Sequence, residues 1–298
     1  MTELFALVKR NTKLYFKDKG MFFSSLITPL ILLVLYATFL KNVYEDSFRS
    51  ALAASVPDAV LNSCIGGQLV SSLLAVSCVT VAFCSNLLMI KDKTSGARHD
   101  LTITPVKAGT MGLGYYLSTL VSTLIISFTA TAVCLGYIAV TGWYLSLRDI
   151  LLTLLDVFLL SMFGTALSSC VNFFLSTDGQ ASAVGTIVSA GYGFICGAYM
   201  PISNFSGGLQ KILSFLPGTY GTSLIRNHLI GGSFAEMKKL GFPDEVLKGI
   251  RDSVDCNLYF FGNKVETGTM YVILCTGIAV LIGIYVLMNI ISSRRHAK

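Results

Sequence analysis

The sequence predicts an all-α integral membrane protein with six transmembrane helices in a single domain over residues 1–298, and three observations carry that prediction. Hydrophobic residues make up 53% and charged residues 13% of the chain, with a mean hydropathy of +0.70, far from the soluble average. The apolar residues gather in blocks long enough to cross about 30 Å of hydrocarbon, which needs roughly 20 helical residues. Lys and Arg collect at alternate ends of those blocks.

Residues 1–19 come before the first block. On a helical wheel Lys9, Arg10, Lys13 and Lys17 share one side, while Leu4, Phe5, Leu7, Val8, Leu14, Tyr15 and Phe16 spread over the other. That pattern predicts an amphipathic helix lying in the membrane interface, its basic groups toward anionic lipid headgroups. No uninterrupted apolar core occurs in 3–19, so a secretory leader is not expected there.

Five blocks reach spanning length: residues 22–40, 64–90, 112–140, 150–175 and 269–291. A sixth, 180–200, is uncharged but rich in Gly, Ser and Ala, a composition that lets helix backbones approach one another inside a bundle. Pro29 removes an N–H within the first block and is expected to bend or loosen that helix. Residues 44–62 read as a mixed-polarity external connection punctuated by Pro57.

With six spans both termini share one side. Lys9, Arg10, Lys13, Lys17 and Lys19, then Lys91, Lys93, Arg98 and Lys107, then Arg294, Arg295 and Lys298 mark that side as cytoplasmic, while the opposing short segments carry only Lys41, Arg49 and Arg148. The basic excess thus reads as membrane orientation, and no nucleic-acid partner is implied. Within the cytoplasmic loop 91–109, Gly96 and Pro105 delimit a short helix over 97–104, set between two long helices.

Residues 201–268 change character. The apolar runs 209–216 and 220–230, separated by Pro217 and Gly218, are each too short to span and predict a broken re-entrant hairpin between helices 5 and 6, entering the external leaflet. The more polar stretch 233–268 reads as a small external cap.

Polar residues inside the blocks are few. Asp156 is a lone acid that reads first as structural, with ion coupling as the sharper alternative; Gln68 and Asn172 read first as interhelical hydrogen bonders and second as substrate contacts. Cys64, Cys78, Cys84, Cys134, Cys170, Cys196 and Cys275 fall in or beside the spans and Cys256 in a loop, so neither a disulfide framework nor a zinc site follows. The chain contains no Gly-Lys step, which removes the GxxxxGK[ST] phosphate loop, and His99, His228 and His296 form no metal-ligand spacing and read as loop or interface histidines. No GxSxG elbow is present either. Transport therefore outranks catalysis, with a receptor or scaffold as the alternative reading.

Taken together, the basic first helix, the run Lys91, Asp92, Lys93, Thr94, Ser95 and Gly96 leading to Leu101, Thr104, Pro105 and Val106, and the set Gly197, Pro201, Ile202, Leu209, Ile212, Leu216, Pro217, Tyr220 and Arg226 resemble the permease subunits of ABC-2-type transporters. The sequence departs from that pattern at Ala97, at Arg98, His99 and Asp100, and at Ser206, Gly207 and Gly208. The resemblance implies a multi-pass protein of the bacterial cytoplasmic membrane, paired with a second permease chain, identical or homologous. It also implies soluble ATP-binding subunits that hold the ATP and Mg; this chain would carry no cofactor. Gly96, Ala97, Arg98, Asp100, Leu101, Ile103, Thr104 and Pro105 would form the coupling segment that meets the ATP-binding partner, Leu101 and Ile103 with apolar contacts and Arg98 and Asp100 orienting them. The implied substrate is a drug, peptide or lipid-like molecule moved outward.

Overall fold

A computed structural model describes residues 2–51, 57–104 and 106–296. The chain begins with α1 (Thr2–Lys17), amphipathic as expected, and turns by 73° into α2 (Lys19–Leu35). Asp18 makes the corner: its carboxylate accepts from Met21 N at 3.2 Å and caps α2. Leu7, Asn11 and Tyr15, spaced four apart, form the buried stripe of α1 and pack it against the sixth helix, leaving Phe5 exposed. The basic face does not simply meet headgroups, because Arg10 is drawn into an ion pair with Asp92.

Beyond α2 the first apolar block does not end in a loop. It continues through one π-helical turn (Tyr36–Leu40) into α3 (Lys41–Ala51), so most of the polar connection expected at 44–62 is helical on its first side; 52–56 lie outside the described residues. The amphipathic sequence of α3 buries Tyr44 and Phe48 on one face, and Tyr44 stacks on Tyr36 at 5.8 Å, which prolongs the helix past the apolar block.

α4 (Asp58–Thr94) is the axis of the bundle. Its 37 residues span about 55 Å, and it packs against α2 and against four of the five long helices that follow. Small residues make that crowding possible. On α7 (Leu147–Phe173) Gly164 comes so close that a Cβ there would stand 2.9 Å from the Cys78 carbonyl of α4, a backbone contact that only glycine permits.

A short helix α5 (Ala97–Thr102) leads to α6 (Ala108–Thr141), and α7 opens with a capping box in which Ser146 and Asp149 exchange hydrogen bonds. α8 (Asp178–Ile195) is the small-residue block; only Ala181, Tyr192 and Gly193 of it are buried, so it lines the side of the bundle rather than its centre. A cavity of about 1130 Å³ lies between α8 and α2, walled by residues such as Ile27, Ile31, Phe39, Gly185 and Phe194.

The expected hairpin of two short helices is half right. α9 (Gly207–Leu213) is short, but Pro217 is the first residue of α10 (Pro217–Lys239), a 23-residue helix of about 35 Å, not the turn between two fragments. Arg226 and His228, polar groups within the expected run 220–230, find buried partners inside the protein, and the helix continues past Ile230 to Lys239. The cap that follows contains α11 (Asp244–Ser253) and a two-stranded antiparallel hairpin, β1 (Leu258–Phe260) with β2 (Asn263–Val265), a small exception to an otherwise helical fold. α12 (Thr267–His296) closes the chain.

Four helices, α4, α6, α7 and α12, are long and apolar enough to cross a membrane, and α1 with α2 adds a bent fifth candidate. α8 and α10 are not among them: α8 is diluted by Gly, Ser and Thr, and α10 carries Arg226, Asn227 and His228 at its middle.

Candidate functional site

The end of the bundle that carries α5 is built by three consecutive side chains at the foot of α4. Lys91 Nζ donates to Asp18 at the α1–α2 corner, and that ammonium, with the Met21 N–H, holds the Asp18 carboxyl below the usual carboxylate range. Asp92, buried, accepts from Arg10 Nη1 of α1 at 2.7 Å and from the Tyr115 hydroxyl of α6 at 2.7 Å. Lys93 Nζ donates to the Phe173 and Leu175 carbonyls at 2.8 and 2.7 Å, capping the last turn of α7. A cation on the free carbonyls of a helix end satisfies acceptors that have no partner within the helix and meets the negative end of its dipole. One turn of α4 therefore grips α1, α6 and α7 immediately before the chain leaves for α5.

Gly96 starts α5 at φ +81°, a left-handed conformation that reverses the chain out of α4, and its carbonyl accepts from His99 N at 2.8 Å. The helix ends two residues sooner than the sequence predicts, at Thr102, with the Thr104 hydroxyl donating to the Leu101 carbonyl at 2.6 Å; Pro105 lies outside the described residues. The two apolar residues assigned to partner contact are divided. Ile103 is 75% exposed, but Leu101 turns inward and packs against the cluster of Met89, Met111 and Tyr115. Helical spacing accounts for this, since two positions apart on a helix face different ways. Asp100 is exposed, Ala97 and Arg98 are half-buried, and Arg98 points to the bundle rather than away from it, lining a cavity of about 810 Å³ between α5, α6 and α12.

Inside the bundle Asp156 is not alone. His228 Nδ1 of α10 lies 2.6 Å from Asp156 Oδ2, and the Tyr271 hydroxyl of α12 donates to Oδ1 at 2.6 Å, so three helices meet at one fully buried carboxyl. His228 is thereby a bundle residue and not the loop or interface histidine the sequence suggests. Gln68 and Asn172 are both fully buried; the Asn172 amide meets no hydrogen-bond partner among the described residues, and Gln68 has the Tyr44 hydroxyl of α3 near it without a hydrogen bond of good geometry. At the α4–α7 contact Asn86 is the residue that meets hydroxyls, donating to Ser168 and Ser169 at 3.1 and 2.8 Å, and next to Gln68 the Gly67 position abuts Leu229 and Ile230 of α10.

At the opposite end Arg226 of α10 is fully buried. Its Nη1 donates to the Val254 carbonyl at 2.7 Å and its Nη2 to the Gly197 carbonyl at 2.9 Å and the Ser72 hydroxyl at 3.3 Å, with Asp255 Oδ2 3.6 Å away. Asp255 in turn accepts from Ile202 N at 2.6 Å and Ser203 N at 3.3 Å. Burial pushes the Asp255 carboxyl above its ordinary range, opposed by the Arg226 charge and those N–H groups, and pushes the neighbouring Cys256 thiol up to about 12. An inert thiol there fits a structural cysteine; all eight cysteines are free.

Sequence reasoning did not find Asp92, Asn86, Tyr271 or the partners of Arg226. The Lys91, Asp92, Lys93 run was visible as a charged flank, but Asp18, Arg10 and the end of α7 lie 70 or more residues away in the chain, and Tyr115 lies 23 away on another helix.

A family model described as ABC-2 family transporter protein matches residues 62–294. No curated protein matches the chain significantly.

Proposed function

The chain belongs to the ABC-2 transporter family, and from that premise we propose that it is the permease subunit of an ATP-driven exporter with six spans and both termini in the cytoplasm, working beside a second permease chain and receiving a soluble ATP-binding subunit on α5. The observation that carries the reading is the grip of residues 91–93 on α1, α6 and α7. A push on an isolated surface helix dissipates in its loops. A push on α5 reaches three long helices through one turn of α4, because that turn is tied to each of them by a charged group.

ATP and Mg belong to the partner subunit, and this chain supplies the surface and the lever. Ile103 is the apolar contact offered outward, Asp100 the polar one beside it, and Leu101 the root that fixes α5 to the bundle. A drug, peptide or lipid-like substrate fits the cavity between α2 and α8 better than a long hydrophilic glycan does, since alkyl and aromatic side chains dominate its wall.

The test is reconstitution of the permease with its ATP-binding subunit and measurement of partner retention, ATP hydrolysis and substrate movement on one sample. Ile103→Ala is expected to weaken partner binding by about 2 kcal/mol, roughly thirtyfold in affinity, as burial of the lost methylenes predicts. Leu101→Ala should leave partner binding closer to normal and uncouple hydrolysis from transport. Unchanged behaviour of both variants in all three measurements would remove α5 as the transmission element.

A further inference from the structure

The cavity beneath α5 gathers positive charge without an acid to balance it. Of its lining, Lys93, Arg98 and His99 are basic, and no carboxylate is among the described lining residues. The nearest buried one, Asp92, is already held by Arg10 and Tyr115. Lys93 is compensated in part by the carbonyls at the end of α7. Arg98 is not: its half-buried guanidinium has no hydrogen bond or ion pair among the described residues, and it lies within electrostatic reach of Lys93, Tyr115 and Tyr285. A half-buried guanidinium beside another cation is unfavourable unless an anion joins them. The wall opposite is the start of α6, where Ala108 lines the cavity and no side chain caps the first N–H groups of a 34-residue helix. Asn289 and Ser292 of α12 add neutral polar groups, and Met111 and Phe173 add apolar ones.

We propose that this cavity binds a phosphate-bearing anion, delivered as the headgroup of an anionic phospholipid. The guanidinium of Arg98 and the free N–H groups of α6 face the phosphate, as charge-assisted bonds and helix amino termini favour. The apolar part of the wall receives the glycerol end. A volume of about 810 Å³ exceeds what inorganic phosphate fills and suits a headgroup. Basic pockets between transmembrane helices at a membrane surface are suited to such lipids. The site needs only that this end of the bundle meets a bilayer surface, so it stands apart from α5 docking an ATP-binding subunit. An occupied site would fix Arg98, and with it the inner face of α5.

The experiment uses the purified full chain in a neutral detergent, with thermal unfolding followed during titration with short-chain phosphatidylglycerol, phosphatidylcholine or inorganic phosphate. Phosphatidylglycerol is expected to give a saturable rise in unfolding temperature and phosphatidylcholine none. Arg98→Gln should weaken half-saturation about tenfold, the loss of one charge-assisted contact, and Arg98→Lys should restore part of it. Ala108→Glu places a carboxylate at the cavity wall, where a helix amino terminus tolerates it, and should abolish the lipid response in a folded protein. Lys13→Gln, on α1 and outside the cavity, should leave the titration unchanged. Equal responses to the two lipids, or a phosphatidylglycerol response that survives both Arg98→Gln and Ala108→Glu, would overturn the site. A response to inorganic phosphate equal to that of the lipid would overturn the lipid as its source.

Discussion

The two ends of the bundle are each tied by an arginine and an aspartate, and they are tied differently. At the cap end Arg226 and Asp255 are 1% and 5% exposed, and each is also bonded to main chain from other segments. At the α5 end Arg10 keeps 33% of its side chain in contact with solvent, and its partner Asp92 shares itself with Tyr115. A sealed pair is a fixed joint, because parting it strands a charge in a dry interior. Where the arginine meets solvent, its own side of the pair exchanges with water at less loss, although Asp92 is as buried as Asp255. The difference teaches how access to water separates the two ends: the cap is locked on α10 through a pair closed on both sides, while the α5 end is tied through a pair open on its arginine side.

The comparison breaks most readily at Arg226. Arg226→Leu strands Asp255 and frees two carbonyls, and should destabilise the protein by about 3–5 kcal/mol, with the cap becoming a target for limited proteolysis before the spans unfold. A cap that resists protease as well as the parent would mean the arginine is incidental to it. Next in size is Asp156→Ala, which leaves the buried His228 and the half-buried Tyr271 without their acceptor; a loss of about 1–3 kcal/mol is expected in thermal unfolding, with Asp156→Asn recovering part.

Smaller again is Lys93→Met. Removing the donor uncaps α7, and amide exchange should quicken at its last turn with about 1–2 kcal/mol of local protection lost, while the cap end is unmoved. Smallest is Lys238→Ala. The Lys238–Asp244 pair is 65% and 76% exposed, and its loss should shift unfolding by less than about 1 kcal/mol. Were Lys238→Ala to rival Arg226→Leu, burial would not be what separates these pairs.

What the sequence made legible follows the range over which the physics acts. The long helices were readable because apolar blocks of spanning length have few soluble explanations, and α5 was readable because Gly96 announces a reversal locally. α10 was not, since Pro217 and Gly218 read as the turn of a hairpin when Pro217 in fact starts the helix, and the partners that let Arg226 and His228 be buried along it, Val254, Gly197 and Asp156, come from elsewhere in the chain. The short helix after Gly96 was legible and the facing of its side chains was not: Leu101 and Ile103 are equally apolar as letters, and only the cluster of Met89, Met111 and Tyr115 decides that one turns inward while the other stays exposed. Asp156 looked solitary because its two partners stand 72 and 115 residues away.

The account turns on α5 being the inward-facing, partner-bearing end. Single cysteines at Ser95 and Ser253, both exposed positions at opposite ends of the bundle, placed in a cysteine-free background and probed with a membrane-impermeant maleimide, address that directly. The account predicts that Ser253→Cys labels in intact cells, that Ser95→Cys labels only after the membrane is opened, and that adding the ATP-binding subunit then protects Ser95→Cys and leaves Ser253→Cys unchanged. Labelling of Ser95→Cys in intact cells would contradict it.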